Sequence, residues 1–146
     1  MSHSTGPQRR ARELALQCLY QWDQQGHESS RELAEETLNE LGALPESREF
    51  ALTLVETYWQ YSFEIDEWVD AASDRWKLNR MAVIDRNTLR IAATELKYLD
   101  DIPPKVAIDE ALEIVKRFST EKSASFVNGI LDRLLREIQT SSGEQS

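Results

Sequence analysis

The sequence predicts an all-α protein of about seven helices, and three observations carry that expectation. Apolar residues recur at i, i+3, i+4 and i+7 along nearly the whole chain, the period of a helix with one buried face. No segment shows the strict apolar–polar alternation of a strand bounded by turn residues. Punctuation is sparse, with five glycines and four prolines in 146 residues, and the prolines fall where helices would start or stop.

The first helix should start near Gln8, after Pro7, and run to about Gln24, burying Ala11, Leu14, Ala15, Cys18, Leu19 and Trp22. Ser29 and Glu32 stand at capping-box spacing for a second, which carries Leu33, Ala34, Leu38 and Leu41 and stops at Gly42. Pro45 sits in the first turn of a third, with Ala51, Leu54, Val55 and Tyr58 on its stripe. A fourth, linked around Ser62, aligns Ile65, Trp68, Val69, Ala72 and Trp76. After a break at 78–80, a fifth carries Leu89, Ala92, Leu96 and Leu99 until the Pro103–Pro104 pair ends it, because proline lacks an N–H and restricts the residue before it. A sixth buries Ala107, Ala111, Ile114, Val115 and Phe118, and Ser119–Thr120 break it. The last holds Phe126, Val127, Ile130, Leu131, Leu134, Leu135 and Ile138. Residues 1–8 are expected as a flexible N-terminus, 9–139 as one helical domain and 140–146 as a disordered tail.

Composition narrows the function. Hydrophobic content of 40% with 29% charged residues is that of a globular chain. One cysteine cannot form an internal disulfide, and His3 and His27 form no metal cluster with it, so no metal or cofactor is expected. No apolar run approaches membrane-spanning length and no secretion signal opens the chain, which points to a soluble cytoplasmic protein. The net charge of −9 is unevenly spread. Residues 1–12 hold Arg9, Arg10 and Arg12 and no acid, whereas 13–75 hold fifteen acids against three arginines. An acidic body repels polyanions in general and leaves their binding to local basic sites.

The arginine-rich first helix is the leading candidate for such a site. At roughly 100° per residue, Arg9, Arg12, Leu16 and Tyr20 fall opposite the stripe centred on Cys18, with Arg10 to one side and Glu13 diluting the charge. Guanidinium groups pair with phosphates and stack on bases, and an aromatic nearby adds a platform for a single strand. The alternative is a solubilising end, although cations there oppose the helix dipole. A second candidate is the junction from Lys116 to Gly129, where Lys116, Arg117 and Lys122 accompany Phe118 and Phe126. Phe126 also fits the buried stripe. Gly129, costly inside a helix, is expected at a close helix crossing, with the approach of a ligand as the alternative. A third is Arg80–Arg90, whose alternating charges read on composition alone as a solvated helix start, with a basic protein partner for Asp85 as the alternative. No nucleophile–base pair or phosphate loop emerges, so catalysis is not expected. Glu95 and Glu110, among apolar neighbours, are expected to bridge elements instead.

Four blocks then resemble one family. RRARELALQCLYQW (9–22), DRNTLRIAATEL (85–96), IPPKVAIDEA (102–111) and FVNGILD (126–132) are similar, in order and spacing, to the bacterial transcription antitermination factor NusB family. The resemblance implies two packed helical bundles. It also implies binding of boxA RNA in ribosomal RNA operon transcripts together with the ribosomal protein NusE, in an RNA polymerase elongation complex with other Nus factors. Carried over residue by residue, Arg9, Arg10, Arg12, Tyr20, Phe118, Lys122 and Phe126 become RNA contacts. Arg80, Asp85, Arg86 and Leu89 become the NusE-facing set, which reverses the solvated reading of that stretch. The family often has an acid where Lys122 stands and an ordinary residue at Pro104. A homodimer of the free chain is consistent with the family. Two other readings stand beside this one: the RNA-binding domain fronting some ribosomal RNA cytosine methyltransferases, disfavoured because no methyl-donor domain follows, and a helical adaptor that binds only protein. Replacing Arg9, Arg10 and Arg12 with alanine is expected to weaken RNA binding, whose log–log salt slope would be about −2, without loss of helicity.

Overall fold

The computed structural model describes the backbone of residues 6–145 and the side chains of residues 6–141. These residues form α1 (Pro7–Gln24), α2 (Arg31–Glu40), α3 (Pro45–Gln60), α4 (Ser62–Ala72), a 3-10 turn (Leu78–Arg80), α5 (Val83–Tyr98), α6 (Pro104–Phe118) and α7 (Glu121–Gln145), with no strand among them. The all-α expectation holds. Of the expected flexible N-terminus, 1–5 lie outside the described residues, and Gly6 already caps α1.

Local chemistry accounts for most boundaries. Proline opens α1, α3 and α6, where its missing N–H costs nothing and its fixed φ suits the first turn. Gly42, at φ +69°, reverses the chain after α2 in a conformation that side chains with a Cβ disfavour. Thr120 Oγ1 accepts from the Ser123 N–H at 2.9 Å and caps α7.

Three expectations need correction. The cap of α2 is Ser30, whose hydroxyl accepts from Leu33 N–H at 3.3 Å; Ser29 instead accepts from the Trp22 indole at 3.1 Å. Helix α4 stops at Ala72, so Trp76 leaves its stripe and is 44% exposed. Between them Lys77 donates to the Asp70 and Ser73 carbonyls, and Asp70 accepts from Leu78 N–H, which turns the chain away from the helix axis. The expected disordered tail is helical as far as Gln145, because nothing after Ile138 removes a backbone donor, and Thr140, Ser141, Ser142 and Gly143 weaken the run without ending it.

Helices α1–α3 pack into one bundle and α4–α7 into another, with α5 against members of both. Helix α5 therefore buries polar as well as apolar residues: Asn87, Thr88, Arg90, Thr94 and Glu95 are all inside. The Arg90 guanidinium bonds Asp66 at 3.1 Å and Asp23 at 3.2 Å, while Arg86 bonds Asp23 at 3.1 Å and the Tyr58 hydroxyl donates to Asp66 at 2.9 Å. This network ties α1, α3 and α4 to α5. Burial alone would push the Asp23 carboxyl up, but Arg90 and Arg86, with His27, outweigh it and hold its pKa below the usual carboxylate value. A depressed folded-state pKa contributes stability above the unfolded value and loses it as pH falls through the folded value. Stability is therefore expected to decline below about pH 4, and Asp23→Asn should be weaker near neutrality with a flatter acid limb. Urea midpoints measured across that range check it; parallel curves would sink the assignment.

Candidate nucleic-acid interface

Helix α1 presents less of itself than its periodicity suggests. Both bundles pack against it, so burial extends past the Cys18 stripe to Arg12 and Leu16. Cys18 itself is buried, and burial pushes its thiol up to about 12, which removes it as a nucleophile. The exposed residues are Pro7, Gln8, Arg10, Gln17, Tyr20 and Gln24, flanked by half-buried Arg9, Glu13, Gln21 and Asp23. Arg10, rather than Arg12, leads the solvent-facing line.

Arg12 is the principal correction among the expected RNA contacts: it is 1% exposed. Its Nε lies 3.1 Å from both Glu95 oxygens and its Nη2 2.6 Å from Oε1, with Nη1 4.0 Å from Glu110 Oε1. Phe50 covers the guanidinium at 5.4 Å. Arg9, 34% exposed at its side chain, bonds Glu110 through Nε at 3.1 Å and Nη2 at 3.0 Å. The bridging expected of Glu95 and Glu110 is thus realised, and their partners are two of the three N-terminal arginines. A buried carboxylate on α5 and another on α6 each need a cation, and that need was the sequence-level signal that Arg12 faces inward.

The remaining candidates gather in two grooves flanking the start of α5. One, of about 390 Å³, is lined by Arg10, Gln17, Tyr20, Val83, Ile84 and Phe118. Phe118, expected on the buried side of α6, is instead 48% exposed at the helix end; Arg117 lies over its ring at 5.1 Å and reaches Glu13 at 3.5 Å. The other, of about 710 Å³, brings Lys122 and Phe126 together with Arg80 and Asp85. Phe126 is half-buried, edge-on to Trp76 with centroids 5.3 Å apart, so it serves packing and rim at once. Of the four residues expected to face a protein partner, Arg80 is exposed and the 5%-exposed Asp85 borders the second groove. Arg86 is engaged with Asp23. Leu89 is fully buried in the core, so its expected contact is withdrawn: it sits on the face of α5 that packs inward. Gly129 needs no close crossing either, since no atom lies within 4 Å of where its Cβ would be; it lines the second groove. Trp76, absent from the expected site, belongs there because the break after Ala72 carries it off α4.

Open grooves rimmed by cations and aromatics describe a binding protein rather than an enzyme. The comparisons agree. A model described as the NusB family matches residues 9–136. The chain is 42% identical over 139 residues to the transcription antitermination protein NusB of Chloroherpeton thalassium, covering 90% of this chain and 63% of that protein. It is 44% identical over 135 residues to the Myxococcus xanthus protein of the same name, covering 88% and 94%. Among solved structures, T. maritima NusB superposes with a TM-score of 0.81 at 39% identity over 94% of each chain. A chain from a crystal structure of antitermination factors NusB and NusE in complex with dsRNA gives 0.79 at 30% identity, covering 88% of this chain and 96% of that one. The chain belongs to the NusB family.

Proposed function

We propose that this protein is an RNA-binding transcription antitermination factor that binds boxA RNA of ribosomal RNA operon transcripts together with NusE. It would act in the cytoplasm, within an RNA polymerase elongation complex that includes other Nus factors. The name shared by its curated relatives supports the activity, and the NusB–NusE–dsRNA structure supports the two partners. Among the described residues no helix is long and apolar enough to cross a membrane.

The observation that carries the reading in this chain is the meeting of Arg10, Tyr20 and Phe118 on one exposed groove. Arg10 neutralises a phosphate, and Tyr20 and Phe118 offer faces to bases. Arg9 contributes from the rim, and Lys122 and Phe126 extend the contact to the second groove. Arg12 acts through the fold and not by touching RNA. On the partner side Arg80 and Asp85 are the candidates, while Arg86 is held by its ion pair with Asp23. A homodimer that covered these grooves would compete with RNA, which sedimentation with and without RNA would reveal.

With Arg12 withdrawn, the informative variants are Arg10→Ala and Tyr20→Ala. Loss of one phosphate contact should reduce the magnitude of the log–log salt slope by roughly 0.7, and loss of one stacked base should weaken binding by about tenfold. Gel-shift titration with boxA RNA, with and without NusE, measures both. Wild-type capture of NusE with no RNA shift at any concentration would instead favour a purely protein-binding adaptor.

A further inference from the structure

The larger groove holds a second aromatic beside Phe126. Trp76 stands on the segment between α4 and α5, with its ring edge-on to Phe126 at 5.3 Å and the Arg75 guanidinium over it at 5.0 Å. Around it the charge is lopsided. Arg133 is spent on Asp74 and the Ala72 carbonyl, both at 3.0 Å, whereas Arg75, Arg80 and Lys122 make no ion pair among the described residues and face only Asp85 as a remaining acid. The opposite wall contains Gly129, which sits inside a helix at a cost relative to alanine and gains no packing there, since nothing lies within 4 Å of a notional Cβ. What its missing side chain does provide is width in the groove.

We propose that this groove is a slot for one unpaired base of a single-stranded RNA, with Trp76 as its stacking floor, Phe126 as its edge and Arg75 and Lys122 meeting the flanking phosphates, while Arg80 stays on the partner side. Four features favour RNA over an apolar protein segment: the excess of cations, the flat indole, the guanidinium over it, and continuity with Lys122 and Phe126. The inference rests on the RNA reading above and adds a contact to it.

The test scans 2-aminopurine, one position at a time, through a single-stranded boxA RNA and follows its fluorescence on binding. Wild type should quench one position far more than the others. Trp76→Leu should abolish that quenching and weaken RNA binding by about tenfold. Gly129→Leu fills the groove while improving helix propensity, so it should lose the same affinity with an unchanged or higher Tm, and it keeps the test decisive if Trp76→Leu folds poorly. Arg10→Ala serves as the separate control on RNA binding itself. If Arg10→Ala weakens binding but Trp76→Leu and Gly129→Leu bind RNA like wild type, the slot is wrong and the RNA reading stands. If wild type fails to bind RNA, both fall. If the two groove variants keep RNA affinity and lose NusE capture, the groove docks protein and the proposal is overturned.

Discussion

Arg12→Ala is expected to remove about 3–5 kcal/mol of folding stability, out of a total of roughly 5–15 for a domain of this kind. The size follows from what the substitution leaves behind. Glu95 and Glu110 are each 1% exposed at the side chain, and Arg12 supplies all the hydrogen bonds that the described residues give Glu95. Without it a carboxylate on α5 is buried with no cation, and Arg9 is left to serve Glu110 alone. Burial already pushes the Glu95 carboxyl above its ordinary value, with Arg12 pulling the other way and Glu110 adding to the rise. Removing Arg12 raises it further, so the variant should recover as the carboxyl takes up a proton. A raised folded-state pKa contributes stability that is lost as pH rises, so the defect should be largest near neutrality and smaller near about pH 5. Urea unfolding of wild type and variant at the two pH values measures this; a loss under about 1 kcal/mol at neutrality would mean the pair is not bearing charge. Replacing both partners, as Arg12→Met with Glu95→Leu, should be far milder than either single change, because no orphaned charge remains. RNA binding by Arg12→Ala must accordingly be compared under conditions where the variant is shown to be folded.

This arginine also marks how far the sequence was legible. Helical period, three opening prolines and the glycine after α2 are local signals, and they placed α1, α2, α3 and α6 to within a residue or two. A helical wheel, however, assumes one buried face. Helix α1 belongs to one bundle and packs against the other as well, so its second face is covered by elements some 80–100 residues away, and periodicity carries no information about them. Leu89 shows the reverse: its register put it on the buried stripe of α5, where it lies, and only the carry-over from the family made it a partner contact, whereas Trp76 matched the register of α4 until the turn at Ser73–Lys77 carried it elsewhere. The aromatic and basic residues that end up around the grooves were recognisable by type. Their division between two grooves was not, because it depends on where the start of α5 meets the junction of α6 and α7.

The second large effect is expected at the other end of the same helix pair. Arg90 is buried, with Asp66 on one side, Asp23 on the other and the rings of Trp22 and Tyr58 each 5.5 Å from its guanidinium carbon. Arg90→Ala should cost about 3–5 kcal/mol, because Asp66 keeps only the Tyr58 hydroxyl and the space between the rings is left empty. Asp23 retains Arg86, which moderates the loss on that side. Arg90→Lys preserves the charge but not the fork that grips both Asp66 oxygens, nor the flat surface between two aromatics, so it should recover less than half of the difference. A lysine that restored full stability would reduce the site to simple charge pairing. The two clamps also permit a joint test. On α1 they involve Arg12 and Asp23, eleven residues apart and therefore about 16 Å along the helix, with no shared partner. Independent sites at that distance add, so the double variant Arg12→Ala with Arg90→Ala should fall within about 0.5 kcal/mol of the sum, if enough stability remains to measure it. Stabilising both backgrounds equally with an osmolyte keeps that comparison accessible. A loss well short of the sum would mean that α1 separates from α5 as one unit once either clamp opens, and the N-terminal arginines would then share a single folding event with the start of α5 that borders both grooves.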